Sequence, residues 1–542
     1  MKRLIGMGIA GLLSAALTSG AWAQGQAFAP AWEVLTGNTV YTKDKPPATP
    51  KLADLPLKES LTQYGITWTF EQPARVGQFV NGDWYVVGPV TVTAIDPKPL
   101  YGKDIPESEL DARDKAVNEN QRVRNGFMLN PPARSEVAYD SGTQNWFRPA
   151  LIQKLPTAIK PGDSLVSTIS TPKGLKINAQ LKNTYERGVS DSTGTRFAAV
   201  LTCVGEPQPS DAFRPAYCDR TAKIYRASDL KRDLLPTAAV GKTPPDFKMY
   251  AGFTQKPWVA TGFFAFEQPI ENMPMYGREY GRVVGLCALT LCSDLKPEQK
   301  EPLLINFVQV GIDLGGMVRA GHPGFEGFGG HGSGRKLPIV FAGILLGDEQ
   351  LANVNKSFPK ASFGEDEQTA YGDCWTGAKV VFAGHRGIDA RTGVARPPTG
   401  PYEHKHPKDW TGGPRGGGDR MSEGYRRCCT STAWVPQALA LRLMKAEKQW
   451  GHDAFFDYCD RWMYEDDKPA LAAIKEATGQ DHDQDWSRQG QTWEDFANEM
   501  WTKHRTAAGM PPTDGWKKPH DDSYLKNAIE KAPKPSPRPA AQ

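Results

Sequence analysis

The sequence predicts an α+β multidomain chain, a mostly β domain over residues 61–205 followed by an (α/α) toroid over residues 251–510. Three observations predict it. The chain has 542 residues, too long for one hydrophobic core. Between Tyr64 and Val204 short β-branched and aromatic runs are broken by Gly, Pro and Asn-Gly-Asp, which is strand and turn chemistry. Beyond about Lys256 the apolar period becomes helical, with glycine-rich loops between the helices.

Taken in order, residues 1–23 read as a secretory signal: a basic start, an apolar stretch and an Ala21-Trp22-Ala23 ending. No later stretch reaches the ~18 apolar residues of a membrane span, so periplasmic or secreted export is expected, with no membrane attachment after cleavage. Residues 24–60 are a Pro/Lys-rich irregular lead-in. "DSLVSTIS", "LKINAQL" and "RFAAVLTCV" continue the β domain, and 206–250 form a Pro- and Asp-rich connector. "GRVVGLCALTLCSDL" and "EPLLINFVQVGIDLGGMVRAG" read as a helical hairpin. In the second helix Asn306, Gln309 and Asp313 recur at helical spacing on an otherwise apolar surface, which makes it a buried helix. "LPIVFAGILLGDEQLANV" and "AWVPQALALRLMKAEKQW" each carry an early proline, Pro338 and Pro436. Buried helices alternating with amphipathic ones suit a toroid. Residues 511–542 are Pro/Lys-rich and are expected to be disordered.

A net charge of +4 argues against a nucleic-acid partner. In an exported chain the eight cysteines become candidate disulfides. Cys203 and Cys218 bracket a loop and could pair, Cys287 and Cys292 are close, and Cys428 and Cys429 are adjacent; the spacing leaves the connectivity open.

Candidate chemistry sits in five segments. "FGGHGSGRKLPIVFAG", 328–343, puts His331, Arg335 and Lys336 on a glycine-rich loop lengthened upstream by His322. Arginine grips carboxylates and histidine moves protons; alternatively the glycines make a tight turn and Arg335 only caps it. In "EDEQTAYGDCWTGAKVVFAGHRG", 365–387, Tyr371 and Trp375 stand before an expected helix and His385-Arg386 at its end; the aromatics are sugar-stacking platforms or packing groups. "GPYEHKHPKDW", 400–410, carries Tyr402, His404 and His406. It could hold a divalent metal, line a sugar site or be a plain surface loop. In "SEGYRRCCTSTAW", Tyr425, Arg426 and Arg427 precede an expected helix N-terminus, which favours anions. In "GQFVNGDWYVVG", Asn81-Gly82-Asp83 is either a hairpin turn or a tip projecting Asn81 and Trp84 over a cleft. There is no Gly-x-Ser-x-Gly, no His-Glu-x-x-His and no EF-hand loop.

With a β domain and an (α/α) toroid in an exported chain, the protein resembles the toroidal polysaccharide lyases of the alginate-lyase and glucuronan-lyase kind, although the order here, β before α, departs from some of them, where the sheet follows. Its helical half is similar to a group of exported bacterial proteins that share "GHGSGRKLPIVFAGILLGD" and "SEGYRRCCTS…HDAFFDYCDRWM". The resemblance implies an exported lyase that cuts an acidic, uronate-containing polysaccharide by β-elimination. His331 would neutralise or act as base and Tyr425 would be base and acid. His404 and Tyr371 would assist. Arg335, Arg427 and Arg426 would hold carboxylates, while Trp375, Asn81, Trp84, His385 and Tyr402 contact sugar. No obligatory cofactor is expected. A glycoside hydrolase, which needs two carboxylates about 5–9 Å apart, and a non-catalytic glycan-binding protein are the alternatives. If the two proline-led helices start at one rim, His331 and Tyr425 are expected within about 10 Å, one sugar unit.

Overall fold

The computed structural model describes residues 27–28, 39–134, 137–143, 146–173, 176–177, 194–221, 223–259, 277–413, 417–484, 486–507 and 514–532. The signal segment, most of "LKINAQL" and the extreme C-terminus lie outside the described residues.

The N-terminal region is mostly β and forms a nearly closed, barrel-like sheet. Its strands are β1 (Leu57–Gln63), β2 (Ile66–Gln78), β3 (Trp84–Val87), β4 (Val90–Asp96), β5 (Phe127–Leu129), β6 (Thr157–Ile159), β7 (Ser164–Ser170) and β8 (Thr195–Val204). The order is β5-β7-β8-β3-β2-β4-β6, with β1 also paired to β2. Only β8 and β3 run parallel; the other ladders are antiparallel. The first strand begins four residues before the expected domain boundary. Tyr64 and Gly65, both at positive φ, make the two-residue turn that a tight hairpin demands.

The long apolar run of β8 has a simple cause. Ala199, Leu201 and Cys203 face the barrel core with Trp68, Val76 and Leu165, while Ala198 and Val200 join the core of the helical region. A strand buried on both faces needs no polar alternation. Trp68 crosses the barrel to donate to Ser167 Oγ at 2.9 Å.

The second half is helical. Its main helices are α1 (Phe247–Gln255), α2 (Gly277–Leu291), α3 (Pro297–Arg319), α4 (Lys336–Leu346), α5 (Asp419–Tyr425), α6 (Ser431–Leu443), α7 (Asp453–Tyr464), α8 (Asp467–Thr478), α9 (Asp495–Trp501) and α10 (Ser523–Glu530). The expected hairpin is α2 and α3. Both early prolines sit where a neighbour supplies glycine. A Cβ on Gly311 would fall 2.2 Å from the Pro338 carbonyl, and one on Gly285 2.9 Å from Pro436 Cγ. Those glycines let α3 approach α4 and α2 approach α6.

The polar positions of α3 join the two halves. Asp313 takes Arg214 Nη1 at 2.9 Å and Nη2 at 2.5 Å, Gln309 donates to the Arg214 carbonyl, and Asp83 takes Arg214 Nε at 2.5 Å. This buried triad ties the β2–β3 turn, the connector and α3 together. A buried arginine is tolerated only when paired in this way.

Four expectations are corrected. Residues 369–371 and 380–382 form a two-stranded hairpin, not a helix, because "KVVF" is β-branched and lies across from Thr369–Tyr371. Tyr425–Arg427 do not stand ahead of a helix N-terminus. A π-helical turn, Arg426–Thr430, joins α5 to α6, so Pro436 lies inside a continuous helical run. The tail is ordered over 515–532: Trp516, Leu525 and Ala528 are buried, and Tyr524 donates to the Asp389 carbonyl. All eight cysteines are thiols, so the Cys203–Cys218 pair is not formed. Cys203 lies in the barrel core and Cys218 in the helical core. No helix among the described residues is long and apolar enough to cross a membrane.

Candidate functional site at the glycine-rich loop

The glycine-rich loop touches its own chain first. A short helical turn, Gly364–Glu367, offers three successive acids. Glu367 Oε2 accepts the Gly327 N–H at 2.9 Å, and Glu365 Oε1 accepts the Gly334 N–H at 2.6 Å. Gln368 Nε2 donates to the carbonyls of Gly329 and His385. The loop is thus gripped at both ends by carboxylates and held in the middle by an amide. Burial pushes the carboxyl groups of both Glu365 and Glu367 up to about 7, against the opposing pull of Gly334 N–H and Arg396.

This grip presents Phe328 and His331, both half-buried, beside His385 and Tyr425. The Phe328 ring lies 5.7 Å from His331 and 4.8 Å from His385, centroid to centroid, and His385 lies 4.1 Å from Tyr425. Gly329, at φ +61°, makes the approach possible: a Cβ there would fall 2.4 Å from Tyr425 Cδ1. Ser333 Oγ accepts from Trp434 Nε1 of α6 at 3.0 Å, a second contact between the two segments. The loop and the Tyr425 segment therefore meet.

His385 is only 4% exposed, and neither ring nitrogen has a hydrogen-bond partner. Burial, with Arg386 beside it, holds its imidazole down at about 4, so it is neutral at neutral pH. Arg386 packs over Phe328, pairs with Glu326 at 2.8 Å and donates to the Pro397 carbonyl, leaving its buried Nε without a partner.

The expected arginine clamps are elsewhere engaged, which corrects the carboxylate-binding role given to them. Arg335 donates from Nη1 to the carbonyls of His331 and Ser333 and lies over the Tyr280 ring at 4.0 Å. It braces the loop from beneath. Arg426 holds Glu423 through Nε and Nη2 and Gln489 through Nη1. Arg427 holds Glu423 and, bidentately, Asp467. Tyr402 is buried and donates to Glu423 at 2.5 Å. Tyr402, Glu423, Arg426, Arg427, Asp467 and Gln489 form one buried internal network.

The remaining candidates lie in other settings. Asn81 is buried and donates to Asp83 in the turn that holds Arg214, and half-buried Trp84 packs on the barrel core. Neither projects over a cleft: the Asn-Gly-Asp string is a hairpin turn with Gly82 at φ +87°. Tyr371 donates to Asp457 and stacks on His520 at 3.9 Å. Trp375, half-buried, meets His406 edge-on at 5.3 Å. His404 is half-buried, and burial lowers its imidazole. His406 is exposed and accepts the Lys408 N–H. Among the described residues no group of three or more His, Cys, Asp or Glu is arranged to hold a metal ion.

Sequence reasoning did not single out Phe328, Glu367 or Gln368. The available signal was the acid run "GEDEQ" opposite a glycine-rich loop: exposed peptide N–H groups seek acceptors, and a buried acid run seeks donors. No family model, no curated protein and no solved structure matched the chain in comparison.

Proposed function

We propose that the protein is an exported polysaccharide lyase that cleaves a uronate-containing polysaccharide by β-elimination, with the Phe328, His331, His385 and Tyr425 cluster as its reacting centre. One observation carries this: three proton-transfer groups from three separate segments converge at a glycine-rich loop that has been shaped to admit them. Elimination needs the C5 carboxylate neutralised, the C5 proton removed and the leaving oxygen protonated. His331 takes the C5 proton, the electron pair forms the C4–C5 double bond as the C4–O bond breaks, and the Tyr425 hydroxyl protonates the departing oxygen. In this reading α2, α3, α4 and α6 belong to an (α/α) toroid whose rim carries the loop. Residues 1–23 direct export.

The test is incubation of the protein with a panel of uronate polysaccharides, followed by the ultraviolet absorbance of the unsaturated product. His331→Ala and Tyr425→Phe should each lower turnover by about 10²–10⁴-fold, with the melting temperature little changed. New reducing ends without the absorbance would replace the lyase by a hydrolase. Neither signal, with retained binding, would leave a glycan-binding protein.

A further inference from the structure

The arginines expected to hold a substrate carboxylate are all engaged inside the fold, so that group must be found elsewhere. Within the reacting cluster and on the residue next to it, three buried polar atoms have no hydrogen-bond partner: Nδ1 and Nε2 of His385 and Nε of Arg386. Each buried polar atom left unmade costs about 1–3 kcal/mol, so a fold that keeps three on adjacent residues needs a reason. Both residues border one ring, Phe328, which lies 4.8 Å from the His385 ring and 5.1 Å from the Arg386 guanidinium. Phe328 and Tyr425 are half-buried, while His385 is buried against both rings. Phe328 stands on glycine-flanked backbone, with Gly329 at positive φ next to it, so its ring can swing without disturbing a helix.

We propose that His385 and Arg386 form a carboxylate-binding subsite, covered in this state by the Phe328 and Tyr425 rings, that holds the uronate group of the substrate sugar. The guanidinium supplies an N–H beside its existing bond to Glu326, and the imidazole supplies a second donor. The choice of a uronate rests on the lyase reading; the subsite's preference for an organic carboxylate does not. The groups facing His385 are Arg386, Tyr425, the Ser422 hydroxyl that accepts the His385 backbone N–H, and, beyond Phe328, His331 and Glu326. None of these places a carboxylate directly on the imidazole. An incoming one therefore raises the imidazole's proton affinity from its low free value, and binding takes up a proton. Affinity should rise as pH falls from neutrality toward about 4.

The experiment is isothermal titration of the full-length protein with a short oligoglucuronate and with a neutral glucan oligomer of equal length, in buffers of different ionisation heat. The expected result is binding of the oligoglucuronate at least ~10-fold tighter than the glucan, with proton uptake, and loss of that preference in Arg386→Lys and His385→Gln. Arg386→Lys keeps the charge near Glu326 but removes the planar fork. Equal binding of both oligomers, absence of oligoglucuronate binding, or variants that keep the preference would overturn the subsite. The proton uptake of the unmodified protein decides the matter even where a variant fails to fold: binding without uptake overturns it. Carboxylate-selective binding without any eliminated product would leave the subsite standing and remove the lyase. Eliminated product with a selectivity indifferent to Arg386 and His385 would do the reverse.

Discussion

Two polar neighbourhoods abut at Ser422 and Glu423, and they are opposites. Around Glu423 every strong group is matched: Arg426, Arg427 and Tyr402 converge on one carboxylate, Asp467 and Gln489 take the remaining guanidinium donors, and Arg461 holds Glu403 in the same fashion. Around His385, one residue's reach away, buried donors and acceptors stand unmatched. Charge density is higher in the first and chemistry is more available in the second. Arginines in a row advertise anion binding in a sequence. Whether they bind a ligand's anion or the protein's own depends on whether the fold has already spent them.

The largest expected effect breaks the matched side. Glu423→Ala removes the acceptor for two buried arginines and a buried phenol. The variant should lose about 3–5 kcal/mol, the range for a buried pair stripped of one partner. Chemical denaturation reads this directly; a loss below about 1 kcal/mol would show that the network relaxes to water.

An intermediate effect concerns pH. Glu365 and Glu367 are raised from 4.5 to about 7 in the fold. A carboxyl whose folded value lies above its unfolded one binds its proton more tightly when folded. Its contribution is complete below about 4.5 and is lost as pH rises to about 7. Glu423 has the opposite sign: its arginines hold it well below the usual range, and its contribution is lost only in acid. Stability measured across pH should therefore fall through the window between about 4.5 and about 7, and Glu365→Gln should flatten that slope. An unchanged slope in the variant would show that Glu365 does not titrate there.

The smallest effect sharpens the unmatched side. His385→Phe removes two buried polar atoms that make no hydrogen bond and keeps a ring against Phe328 and Tyr425. Stability should change by less than about 1 kcal/mol, or increase. A large loss would mean that the imidazole is matched in solution by ordered water, and that the neighbourhood resembles the Glu423 network after all.

The sequence by itself determined the division into a β half and a helical half, because periods of two and 3.6 residues are written locally. It also determined the α2–α3 hairpin. The approach of the glycine-rich loop to the Tyr425 segment was expected from two proline-led helix starts, a premise the fold does not keep, since Pro436 lies inside a continuous helical run. The β8 run "FAAVLTCV" was legible as a strand, but not its double burial, which requires knowing that a helical core covers one face. Tertiary structure alone decided which charged groups are spent. Arg427 meets Asp467 forty residues away, Arg214 meets Asp83 and Asp313 from two other elements, and Glu365 and Glu367 reach back to peptide groups some thirty to forty residues earlier. A side chain's type fixes what it can bind. Its availability is a property of every donor and acceptor folded within three ångströms of it, and those neighbours come from parts of the chain that no local pattern connects.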